Sequence, residues 1–133
     1  MASKPRFFVN YQMMIWPFKL LKEISAADAS RISSRTFDSP VERKNSEPVL
    51  SLRSYYEDHF DSNDRMVCVL KWSYGRQVWW HQFQYYDDGA LLSFAQGEVI
   101  SKKIITQYLD RQKKTIGTEE STYDNSADIK PCG

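Results

Sequence analysis

The sequence contains few of the residues that build disulfide-rich domains or metal centres. Among 133 residues there are only 2 cysteines, 2 histidines, 5 glycines and 5 prolines. So little glycine and proline excludes a collagen-like or low-complexity chain. Small secreted domains usually carry more cysteines, so we expect Cys68 and Cys132 to be reduced, with a single disulfide between them as the alternative.

An excess of one charge and long apolar runs are also missing. Lysine and arginine number 18 against 17 acidic residues, for a net charge of +1. That balance provides no bulk attraction to nucleic acid or to anionic lipid. The chain contains no apolar run long enough for a transmembrane helix, and its N-terminal stretch is too polar for a signal peptide. We therefore expect a cytoplasmic or nuclear protein with no membrane partner.

Aromatic residues are abundant: 4 Trp, 8 Tyr and 7 Phe make up 14% of the sequence. With 41% hydrophobic and 26% charged residues, the chain as a whole is expected to fold. Alternation from Phe7 to Trp16 predicts a strand. The spacing of the apolar residues that follow predicts a helix over about 18–32.

The middle of the chain gives a weaker pattern. Residues 33–48 are rich in Ser, Arg, Pro and acidic residues, which is typical of a mobile linker. From Pro48 to Phe60 the apolar residues recur three or four apart, which predicts a helix opened by Ser46. A strand over 49–53 is the alternative.

The clearest pattern is a run of three strands followed by a helix. The strands are predicted at 65–73, 77–86 and 90–96, with turns at Tyr74-Gly75 and Asp87-Asp88-Gly89. Gly97 would end this meander, and a helix over about 98–112 would follow. The predicted fold class is thus α+β, with an antiparallel meander of three to four strands packed against two or three helices. Residues 1–114 would form one domain, and 115–133 a disordered acidic tail.

The central hairpin has two possible registers. A two-residue turn at Tyr74-Gly75 pairs Cys68 with His81, whereas a bulged three-residue loop shifts every partner by one. In both registers Trp79 and Trp80 point to opposite faces of the sheet. One of them can lie in the core, and the other must be covered by a helix, a partner or a ligand.

These features predict a non-catalytic interaction or regulatory accessory protein. It would bind a protein partner, or a second copy as a homodimer, through an aromatic hairpin surface. The predicted partner-binding residues are Trp72, Trp79, Trp80, Tyr85 and Tyr86. The alternative is binding of RNA or single-stranded DNA, by base stacking on these aromatics beside basic residues. The basic residues of that alternative are Arg65, Lys71, Arg76, Lys102 and Lys103.

Catalysis, metal binding and cofactor binding are not predicted. Cys68 and His81 could form a thiolate–imidazole pair, but no orienting residue or oxyanion-loop signature accompanies them. The segment Asp58 to Asp64 clusters oxygen and imidazole ligands, including His59, Asp61 and Asn63. It lacks the glycine of a calcium loop and has Arg65 at the fifth position counted from Asp61, so a solvated turn is the better interpretation.

The linker carries two candidate phosphorylation sites. Ser46 has Arg43 three residues before it and Pro48 two residues after it. Once phosphorylated, this segment would resemble the motifs bound by phosphoserine-binding adaptors, whose arginines pair with the phosphate. Ser39 precedes Pro40 and fits a proline-directed site.

Overall fold

The computed structural model describes residues 4–34 and 53–122 and shows an eight-stranded antiparallel sheet with one short helix. The strands are β1 (Arg6–Gln12), β2 (Lys19–Ile24), β3 (Ser54–Phe60), β4 (Met66–Ser73), β5 (Arg76–Tyr85), β6 (Leu91–Glu98), β7 (Lys103–Leu109) and β8 (Thr115–Thr122). The helix is α1 (Ala26–Ser33), which Ser25 caps by accepting a hydrogen bond from the backbone N–H of Asp28. The strand order is β2-β1-β3-β4-β5-β6-β7-β8.

The predicted fold class is wrong in its balance of strands and helices. The meander is present as β4, β5 and β6, and the N-terminal strand as β1. However, the predicted helix over 18–32 is divided between β2 and α1, the described part of the helix opened by Ser46 is β3, and the helix over 98–112 is replaced by a turn and β7. Among the described residues only α1 is helical. The sheet carries apolar side chains on both faces. Its strands therefore lose the simple alternation that separates a strand from a helix in sequence.

Several sequence predictions concern residues at the limits of the described structure. Thr115–Thr122 form β8, which pairs with β7, where the sequence predicted the start of a disordered tail. Residues 123–133 and 35–52 lie outside the described residues, and with them most of the predicted linker, Ser39, Ser46 and nearly all of the alternative strand at 49–53. Within the described part, no helix is long and apolar enough to cross a membrane.

The sheet curls around one of its faces. Phe18, next to β2, and Phe94, in β6, have ring centroids 5.4 Å apart. In a flat sheet these strands, with four others between them, would lie about 24 Å apart. Leu20 of β2 and Leu109 of β7 pack against the same cluster as Phe94. We call this face, which carries Tyr11, Val69, Phe83 and Phe94, the inner face, and the opposite one the outer face.

The connections between strands gather at two ends of the curled sheet. The turns 61–65, 86–90 and 110–114 share one end, which we call the aspartate end. The connections 13–18, 74–75 and 99–102 share the other, which we call the apolar end.

A bulge in the central hairpin reconciles the two registers that the sequence allows. Next to the turn, Trp72 pairs with Gln77, as a two-residue turn requires. The register then shifts between Lys71 and Trp72, so that His81 pairs with Val69 rather than Cys68. Trp79 and His81 share a face in either register, and the bulge makes it the inner face that carries Val69.

The outer face has its own core, in which Trp80 is central. Trp80 is 3% exposed and packs with Cys68, Leu70 and Ala95. A Cβ atom added to Gly97, which pairs with Trp80, would overlap the indole ring. Gly97 therefore does not end the meander as predicted; it lies within β6 and leaves the space that the Trp80 ring occupies.

The helix α1 covers another part of the outer face. Its buried residues Ala29 and Ile32 form a cluster with Tyr55 of β3, against which Trp72 also packs. The hydroxyls of Ser33 and Tyr55 are hydrogen-bonded at 2.6 Å. Tyr55 and Tyr56, adjacent in sequence, thus serve the outer and inner faces respectively, because side chains alternate along a strand.

Candidate functional site

The inner face carries a continuous cluster of aromatic rings centred on His81. The His81 imidazole stacks on the Trp79 indole, with centroids 4.4 Å apart and planes inclined by 24°. On its other side the Phe94 ring meets it edge to face at 4.8 Å. Phe18 closes the cluster against Phe94. Alternation along β5 and the pairing of β5 with β6 bring these rings together.

A cavity of about 420 Å³ lies against this cluster and extends to Met13 and Lys103 at the apolar end. Its apolar and aromatic lining is provided by Met13, Phe18, Trp79, His81, Phe94 and Ile105. Gln96, Glu98 and Lys103 also line it, as its polar groups. The Lys103 Nζ atom lies 3.1 Å from a carboxylate oxygen of Glu120. The cavity thus combines an aromatic wall with a few polar groups, which is how small-molecule sites are usually built.

His81 is a neutral component of the cavity wall. Its Nδ1 atom is 3.2 Å from the Tyr11 hydroxyl, within hydrogen-bond distance. Burial lowers the pKa of His81 to about 4, because a charged imidazolium would lose its hydration there. Burial likewise raises the pKa of Tyr11. At neutral pH both groups are therefore uncharged, and the wall offers polar but uncharged contacts.

Asp58 is a buried carboxyl group on the same inner face. It has 0% exposure and pairs with Val69 in β4 and with Arg6 in β1. Burial raises the pKa of Asp58 to about 8, an effect that a hydrogen bond from the His59 backbone and the positive charge of Arg6 partly oppose. The residue is thus mostly protonated at neutral pH.

The five predicted partner-binding residues do not form one surface. Trp79 lines the cavity, whereas Trp80 and Trp72 pack on the outer face. The Tyr85 hydroxyl donates to the backbone carbonyl of Met66, and the Tyr86 hydroxyl to that of Leu109. Both tyrosines therefore contribute to the aspartate end.

The five basic residues predicted for nucleic-acid binding are divided between three places. Arg65 lies at the aspartate end, where it pairs with Asp61 and covers the Tyr85 ring. Lys71 lies on the inner face, with Nζ 5.6 Å from the centroid of Tyr56 and 5.9 Å from that of Trp79. The remaining three, Arg76, Lys102 and Lys103, lie at the apolar end.

The structure also describes the residues that were considered for catalysis and for metal binding. Cys68 is disulfide-bonded rather than reduced, so it carries no thiolate for a pair with His81; Cys132 lies outside the described residues. Asp61 accepts hydrogen bonds from the backbone N–H groups of Asn63 and Arg65. The described residues contain no group of three or more ligands placed to hold a metal ion. The segment 61–65 is therefore a turn.

Sequence reasoning missed most of the cavity. The register of β5 with β6 places Phe94 opposite Phe83 and Gln96 opposite His81. Alternation along the predicted third strand would have indicated both residues. Ile105 gave no such signal, because it was placed in a helix.

No protein-family model, curated protein or solved structure gives a significant match to this chain. Its function must therefore be inferred from the chemistry of the cavity and of the surface around it.

Proposed function

We propose that the protein is a non-catalytic binding module that takes a small, largely apolar and planar ligand into the cavity beside Trp79. The observation that carries this proposal is the volume of about 420 Å³ lined by Trp79, His81 and Phe94. It falls within the range of about 300–1,000 Å³ that is usual for ligand sites. A planar ring could stack against these side chains in an offset or edge-to-face arrangement.

The positions of the polar residues in the cavity indicate where a bound ligand would place its own polar group. Glu98 and Lys103 flank the turn at the apolar end, whereas His81 and Phe94 lie deeper in the strands. A ligand would therefore enter with its apolar part first and leave a polar group beside Glu98, Lys103 and Gln96. Because His81 is uncharged at neutral pH, the deeper wall favours an uncharged ring.

Binding of a protein or a nucleic acid by the aromatic hairpin has less support from these positions. Trp80 is buried, and Trp79 is part of a concave wall rather than a protruding anchor. The basic residues are spread over both ends and the inner face. Both functions stay predictions, and neither has a specific observation in its favour.

The proposal is tested by titrating the full chain with 1-aminoanthracene, an uncharged planar fluorophore, in the absence of lipid. We expect saturable binding with enhanced fluorescence. Ile105→Trp, which adds an indole at the cavity, should abolish saturable binding. Ile116→Trp is the matched control, because Ile116 is also a strand isoleucine, 64% exposed, but lies near the aspartate end. Equal binding by both variants would contradict the proposal.

A further inference from the structure

The apolar end presents three large apolar side chains to solvent. Met14 is 98% and Ile15 81% exposed in the connection between β1 and β2, and Ile100 is 93% exposed in the turn between β6 and β7. Met13 in the first connection and Lys103 directly after the second line the same cavity, so both connections lie beside it. Exposed apolar groups gathered at one end of a molecule mark an interaction surface, because each costs free energy in water.

Basic side chains surround these apolar residues. Lys19 begins β2 and Arg76 begins β5, and both are exposed at this end. Lys102 and Lys103 follow Ile100. Of the four, Lys103 is paired with Glu120, and Glu98 is the nearby acidic residue on β6. The local charge is therefore positive even though the whole chain is nearly neutral.

We propose that the apolar end docks on an anionic lipid bilayer, with Met14, Ile15 and Ile100 entering the boundary between headgroups and acyl chains. Lysine and arginine beside inserted apolar residues match the chemistry of such a surface. This inference departs from the expectation of no membrane partner, which was drawn from the balanced net charge and from the lack of a transmembrane run or signal peptide.

A bilayer fits this end better than a protein surface does. Protein interfaces centre on closely packed aromatic or arginine anchors in one patch. Here the exposed apolar side chains lie on separate connections beside the cavity. A fluid acyl region can accept such separate side chains without a complementary shape.

The inference is tested by co-sedimentation of the full chain with vesicles of phosphatidylcholine, with or without phosphatidylserine. We expect binding to the anionic vesicles that weakens as salt is raised. Met14→Ser and Ile15→Ser together should lower the partition coefficient by about tenfold or more for each side chain removed. The matched control is Ile116→Ser, which removes an exposed apolar side chain far from the apolar end and should leave binding unchanged.

The contribution of lysine charge to vesicle binding is tested with a second pair of matched variants. Lys102 and Lys113 both occupy positive-φ positions in strand-connecting turns, at φ 58° and φ 68°, but at opposite ends. Lys102→Gln should weaken binding to anionic vesicles by about fivefold, and Lys113→Gln should not change it.

Three results would overturn the inference. The first is a lack of binding to phosphatidylserine vesicles, and the second is equal binding by the parent chain and by the double variant of Met14 and Ile15. The third is self-association in sedimentation without lipid that the same double variant abolishes. The last result would assign the apolar end to a second copy of the chain. The fluorophore titration is done without vesicles, so it fails or succeeds independently of this experiment.

Discussion

The two ends of the curled sheet are built by different means. At the aspartate end each turn is closed by an aspartate that accepts backbone hydrogen bonds. The donors are the N–H groups of Asn63 and Arg65 to Asp61, of Ala90 to Asp88, and of Gln112 and Lys114 to Asp110. Such local bonds fix a turn without help from the rest of the molecule. Although burial acts to raise it, bonds from Arg65 and Asn63 hold the pKa of Asp61 below its usual value.

The apolar end has a different composition. Its connections 13–18, 74–75 and 99–102 contain no acidic residue. They carry Met14, Ile15 and Ile100, all strongly exposed, beside an open cavity. The aspartate end is thus closed by local hydrogen bonds within its turns, whereas the apolar end exposes apolar side chains beside the cavity.

The largest expected effect is a loss of folding stability when the packing of Gly97 against Trp80 is disturbed. Gly97→Ala places a Cβ atom against the Trp80 ring, and the resulting shift should destabilise the fold by about 1–3 kcal/mol. At the equivalent change Gly117→Ala the nearest neighbour, in Tyr108, is 4.0 Å away. That variant should stay within about 0.5 kcal/mol of the parent. Urea unfolding measures both, and equal losses would contradict this account of Gly97.

The buried ionisable groups on the inner face predict a pH dependence. The pKa of Asp58 is raised from 3.8 to about 8, so stability should fall as pH rises through that window. The pKa of His81 is lowered from 6.5 to about 4, so stability should rise with pH in that narrower window. Below pH 6.5 the two effects oppose each other. Between that pH and 8 only Asp58 contributes.

Unfolding measured across neutral to mildly alkaline pH checks this prediction. Stability should decrease by up to about 1.4 kcal/mol per pH unit. Asp58→Asn, which cannot ionise, should remove most of that slope. Asp64→Asn changes an exposed aspartate after the same strand and should keep the slope. A slope that persists in Asp58→Asn would show that another group titrates.

Substitutions in the turns are expected to change folding stability by a smaller amount. Asp110→Ala removes the acceptor of two backbone N–H groups and should cost about 1 kcal/mol. Asp110→Asn retains an acceptor oxygen and should recover much of this loss. Ile100→Ala, in a turn of the apolar end, should change stability by less than about 0.5 kcal/mol. Thermal unfolding compares the three, and a larger loss for Ile100→Ala would mean that its side chain stabilises the fold.

The sequence predicts strands correctly where clear turn residues bound them. The meander of β4 to β6 was predictable, because Tyr74-Gly75 and Asp87-Asp88-Gly89 are strong hairpin signals. In β7 the adjacent residues Ile104 and Ile105 pack in the outer core and line the cavity respectively. Two neighbouring apolar residues of this kind also fit the apolar stripe of a helix. Their pattern alone cannot distinguish a helix from a strand that has two apolar faces.

The candidate site was predictable only in part. The sequence indicates that Trp79 and His81 share a face, because residues two apart in a strand point to the same side. It does not indicate that the sheet curls far enough for Phe18 to reach Phe94, because that contact joins strands distant in the sheet. The exposure of Met14 and Ile15 was equally hidden, since their segment alternates like an ordinary strand.

The proposed ligand site beside Trp79 is tested most directly by NMR, with the tryptophan indole N–H signals followed while 1-aminoanthracene is added. Trp79 and Trp80 are adjacent in sequence, but only Trp79 lines the cavity, and Trp80 is buried on the outer face. We expect the Trp79 signal and the amides of Gln96 and Lys103 to shift, while the Trp80 signal and the amides of 61–65 and 110–114 stay in place. Shifts centred on the aspartate end, or shifts of Trp80 larger than those of Trp79, would contradict the proposed site.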